Sequence, residues 1–156
     1  MKKNPAEQQS RDRMEPGALT IEGFLGTDDR PLADIIAADT AEVEAAGLTI
    51  EELGAFLEGL HKTADAGWEG RVPACNGKIT VRSDETLGQI SCPFTSCGDH
   101  CHKAVIGVKD AAGNDLLEFT PLDAHLIRKH GFFQGKGSPY RIGPKKLIAF
   151  YRFCKG

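Results

Sequence analysis

The chain has 156 residues, 40% of them hydrophobic, and a formal net charge of −3. That length suits one domain with a core of its own, and the longest apolar runs, such as Leu147 to Tyr151, are too short to span a bilayer. Residues 1–12 are charged where a secretion leader would be apolar, so neither export nor a membrane partner is expected. Five cysteines is an odd number, and Cys92, Cys97 and Cys101 crowd into ten residues. Reduced thiols or a metal fit that pattern better than a disulfide framework, and the expected location is cytoplasmic.

Residues 1–18 are polar, aperiodic and interrupted by Pro5, Pro16 and Gly17, which predicts a disordered tail ahead of a single domain over 19–156. Residues 19–70 read as its acidic helical part. One helix starts near Pro31 and carries Leu32, Ile35, Ile36 and Val43 on one stripe up to Gly47. A second follows a capping box at Thr49 to Glu52 and spaces Ile50, Leu53, Phe56, Leu57, Leu60 and Ala64 helically until Gly67. Together they form a helical hairpin.

Residues 71–119 switch to strand-like patterning. Lys78–Arg82 and Leu87–Cys92 read as short strands separated by a polar turn at Ser83–Glu85. Lys103–Val108 and Asp115–Phe119 flank Asp110-Ala-Ala-Gly-Asn114, a five-residue hairpin loop. Thr120-Pro121-Leu122-Asp123 then combines a side-chain cap, a proline needing no N–H and an acid favouring the dipole, so a helix is expected from there to Gly131. Pro144 opens a further short helix, or a strand, through Phe153. The fold class is α+β: an N-terminal helical hairpin packed on a small, mostly antiparallel sheet, with C-terminal helices.

Charge is polarised along the chain. Residues 1–70 carry −9, residues 71–119 carry −1, and residues 120–156 carry +7. A basic segment of that strength attracts a polyanion, or is neutralised by the protein's own acidic helices. Within it, Arg128 to Arg141 combines Gly131, Gly135 and Gly137 with four cations and three aromatics. Glycines let backbone N–H groups converge on an anion, and exposed rings stack on bases. Arg128, Lys129, Lys136, Arg141, Lys145 and Lys146 are therefore the candidate nucleic-acid or anion-binding residues. In the alternative arrangement Phe132, Phe133 and Tyr140 are core anchors and the cations stay in water.

The sequence CPFTSCGDHCH holds the candidate metal ligands Cys92, Cys97, Cys101 and His102, with Cys75 or His100 as an alternative fourth donor because adjacent Cys101 and His102 share one ion awkwardly. Four such donors on a glycine-containing loop could wrap a zinc ion. On the helix after Thr120, projection at about 100° per residue places His125 and His130 on different flanks, so they are not expected to make one metal pair. Asp99-His100, a strand, Asn114 and a helix bearing histidines follow in an order that resembles HNH nucleases over about thirty residues. That resemblance implies a metal-dependent hydrolase or nuclease with His100 and Asp99 as candidate catalytic residues. The function expected first is a non-catalytic, zinc-stabilised module for a polyanion, nucleic acid foremost. A role as a protein-interaction or structural subunit, docking through the acidic helices, is the third reading.

Overall fold

A computed structural model describes residues 5–68 and 70–156. Helices α1 (Pro5–Arg13), α2 (Leu32–Ala45) and α3 (Ile50–Asp65) precede strands β1 (Val72–Ala74), β2 (Ile79–Ser91), β3 (His100–Asp110) and β4 (Asp115–Phe119), and α4 (Pro121–His130) and α5 (Pro144–Lys155) close the chain. The strands form one antiparallel meander in the order β1-β2-β3-β4. Helices then sheet then helices is the α+β order read from the sequence. Among the described residues no helix is long and apolar enough to cross a membrane.

Strand alternation sets the core face. Ile79 and Val81 of β2, Ala104, Ile106 and Val108 of β3, and Leu117 and Phe119 of β4 are all buried. Against them lie Leu53, Leu57, Leu60 and Ala64 of α3, the stripe predicted from spacing, with Ala124 and Ile127 of α4 and Leu147, Ile148 and Phe150 of α5. Gly54 lets α3 and α4 approach closely: a Cβ there would sit 2.3 Å from Arg128 Cβ. Gly54→Ala is therefore expected to destabilise the protein by about 1–3 kcal/mol, through overpacking that outweighs the better helix propensity of alanine. Equal urea midpoints for variant and parent would refute this.

Two expected features differ. Residues 5–13 are helical and residue 14 is core, not tail: Met14 is fully buried in a second cluster with Phe24, Leu25, Leu32, Ile35 and Phe132. Side-chain anchors to distant segments supply what local pattern lacks, with Arg11 donating to the Arg30 carbonyl at 2.7 Å and the Thr95 N–H donating to Ser10 at 3.1 Å. Residues 1–4 of the expected tail lie outside the described residues. The polar turn at Ser83–Glu85 is also absent. Ser83 is buried within β2, which runs on to Ser91 past an irregularity between Glu85 and Gln89. Continuous pairing with β3 overrides the low strand propensity of those residues.

The other local signals hold. Thr49 caps α3 by accepting from the Glu52 N–H, which is half of the expected capping box. Thr120 and Asp123 form a reciprocal capping box, and Gly131 ends α4 in the left-handed region at φ 63°. Pro144 begins a helix rather than a strand.

Candidate metal centre

β2 delivers the chain to Cys92, which is 1% exposed, and the loop that follows folds back on itself. The Cys92 N–H donates to the Asp99 carbonyl at 2.9 Å and the Cys97 N–H to that of Phe94 at 3.1 Å. This turn lies against α4. Cys92 Sγ is 3.4 Å from His130 Nε2, and Cys97 Sγ is 3.4 Å from His125 Nε2. All four donor atoms lie within 4.8 Å of one another. A tetrahedral zinc ion, at about 2.3 Å from sulfur and about 2.0–2.1 Å from nitrogen, spaces its ligand atoms roughly 3.4–3.8 Å apart. The cluster has both the composition and the dimensions of a metal-holding Cys2His2 site.

Aromatic packing fixes the imidazoles. His130 stacks on Phe94 with ring centroids 4.0 Å apart, Phe94 meets Phe132 edge-on at 5.6 Å, and the two histidines are T-shaped at 5.4 Å. Burial raises the Cys92 thiol to about 12 and lowers His130 to about 4. Burial likewise lowers His125. The imidazoles are thus held neutral, as metal ligation requires, while the Cys92 thiol becomes a thiolate only when a cation supplies the compensating charge. An activated nucleophile needs the opposite, a thiol pushed downward. Asp99 stands behind the ligands, accepting from Lys129 at 3.0 Å and lying 3.9 Å from His125 Nδ1. Lys129 holds its carboxyl below the ordinary carboxylate value.

Of the four ligands expected from sequence, the structure brings Cys92 and Cys97 together with His125 and His130, not with Cys101 and His102. Cys101 and His102 are neighbours on β3, where successive side chains leave opposite faces and cannot close on one ion. Cys101 is half-buried and its thiol is raised to about 11 by burial, while His102 is exposed. His100 is exposed and 3.0 Å from Ser91, and Cys75 packs with Cys154 beside the main core. Asn114 serves the hairpin turn, donating to Asp110 at 3.1 Å. His125 and His130 form the pair that helical projection separates. Five residues put their Cα atoms about 140° apart, but long imidazoles lean back along the helix and both reach the loop from its last two turns. The spacing Cys-x4-Cys and His-x4-His was the signal that could have found them. His61, Asp65 and Glu85 also converge, but at the surface, where His61 and Asp65 form an i, i+4 pair at 3.2 Å.

Internal carboxylates hold half of the candidate anion-binding set. Arg128 bridges Glu51 and Glu58, Lys129 meets Asp99, and Arg141 makes a two-pronged pair with Asp39. Lys136, Lys145 and Lys146 are exposed and take part in none of the ion pairs among the described residues. Phe132 and Phe133 are core, while Tyr140 is half exposed. No protein-family model matches the chain, and no curated protein or solved structure resembles it significantly.

Proposed function

We propose that this chain is a zinc-stabilised, non-catalytic binding module whose remaining exposed C-terminal lysines take up a polyanion, namely nucleic acid. The convergence of two thiols and two imidazoles within 4.8 Å carries the reading. Two sulfurs and two nitrogens suit tetrahedral zinc, and a shell filled by four protein ligands leaves no position for a substrate or an activated water. The ion's work is mechanical. It ties the turn after β2 to the end of α4 and closes the apolar cluster around Cys92, Leu126 and Phe132. Elemental analysis of protein purified without added metal tests this: one zinc per chain supports it, and metal-free protein that still folds refutes it.

The polyanion half of the proposal narrows to Lys136, Lys145 and Lys146, because Arg128, Lys129 and Arg141 already have carboxylate partners. Replacing those three lysines with alanine is expected to weaken oligonucleotide binding and to reduce the log–log salt slope by about 2–3, whereas Lys129→Ala leaves both nearly unchanged. Fluorescence anisotropy at several salt concentrations measures this. An unaltered slope in the triple variant, or no binding by the parent at low salt, overturns it.

A further inference from the structure

A groove of about 400 Å³ opens beside α4's first turn. Its wall is mainly apolar, built from Leu19, Phe24, Ile90, Ala104 and Leu122. That volume falls within the usual range of small-ligand sites, about 300–1,000 Å³. Six ionisable side chains also line it: Glu22, Asp84, His102, Lys103, Asp123 and Tyr140. Asp84 is already matched by Arg82 at 3.1 Å.

Asp123 is the exceptional member. It is only 7% exposed, its oxygens accept from the Thr120 N–H at 3.0 Å and from Gln134 Nε2 at 2.8 Å, and among the described residues no Lys, Arg or His pairs with it. Gln134 is committed at its other end, where Oε1 accepts from the Ser138 hydroxyl at 2.6 Å. A carboxylate oxygen accepts about two hydrogen bonds, so these two donors leave acceptor capacity on a residue that lines the groove. The positive end of α4 offsets part of its charge, but no side-chain cation is set against it among the described residues.

From this geometry we infer that the groove binds a small organic cation, an apolar body bearing one ammonium group directed at Asp123, with Glu22 adding negative charge at the mouth. The apolar wall takes the hydrocarbon, and the ammonium supplies both the missing charge and the missing donors. The inference stands apart from the zinc and polyanion readings: its lining residues include no metal ligand and none of the three free lysines.

The test is titration of the full chain, as purified, with phenylbutylammonium, phenylbutanol and phenylbutyrate, followed by NMR. The ammonium is expected to bind at least about tenfold more tightly than the other two, with ring-to-methyl Overhauser effects to Leu19, Ala104 and Leu122. Asp123→Asn should erase that preference while circular dichroism stays unchanged. Should the weakened α4 cap unfold this variant, Thr86→Trp, placed on the exposed rim, serves instead and should block all three compounds. Absence of saturable binding, equal affinity for the three, tightest binding of the carboxylate through Lys103, or Overhauser contacts elsewhere would each overturn the proposal.

Discussion

Cys92→Ser, or removal of the ion by a strong chelator, is expected to lower the unfolding free energy by about 4 kcal/mol or more and to broaden or abolish the urea transition. Free energy of structural zinc binding becomes folding free energy because the unfolded chain has no preformed site, and apparent values run to about 10–16 kcal/mol in small zinc domains. The loss here is smaller, since Met14, Leu32, Ile35 and Leu126 still bury apolar surface around the vacated ligands. It is nonetheless large for one side chain, because the turn between Cys92 and Asp99 is held to α4 through the donor atoms, through Phe94 on His130 and through an exposed Asp99–Lys129 pair that contributes little. Acidification should act in the same direction. Two thiol protons must leave for the ion to bind, so affinity falls by up to about a hundredfold per pH unit of acidification. Urea unfolding with and without chelator checks the prediction, and a Cys101→Ser control should match the parent. If Cys101→Ser proved as damaging as Cys92→Ser, the ligand set assigned to the cluster would be wrong.

The elements legible from sequence are those whose signal is local. α3 and α4 carry a 3.6-residue apolar period between a side-chain cap and a glycine, and both appear where that pattern puts them. The β3–β4 hairpin follows from its loop, in which Asp110 accepts from the backbone N–H groups of Ala112 and Asn114. What stayed hidden depends on partners far along the chain. α1 is polar throughout, and its order comes from contacts with Arg30 and Thr95. The Ser83–Glu85 segment looks like a turn until β3 pairs beside it. At the Cys2His2 cluster the two cysteines were legible because they share a short loop, whereas their partners lie about thirty residues onward on a helix whose projected faces keep them apart. Proximity in sequence favoured Cys101 and His102, and tertiary packing selected His125 and His130.

Asp39→Ala is the second large effect expected, at about 3–5 kcal/mol. Asp39 in α2 and Arg141 after the glycine-rich loop face each other with both guanidinium prongs at 2.8 Å, and their side chains are only 6% and 12% exposed. Arg141 also donates to the Gln134 carbonyl at 2.5 Å, so it anchors the loop from within. Removing the acid leaves a desolvated guanidinium with one backbone partner, a loss that exceeds the intrinsic worth of the pair. The Asp39→Ala, Arg141→Ala double variant should therefore recover part of the deficit, because it removes the stranded charge along with its partner. Urea denaturation of the four proteins yields the coupling directly. Additive losses, or a single-variant effect below about 1 kcal/mol, would mean that Arg141 escapes to solvent when unpaired. The same measurement bears on the origin of the charge gradient. A strong coupling means that this cation of the +7 segment is committed to an acidic helix and closes the fold against the chain's own first half.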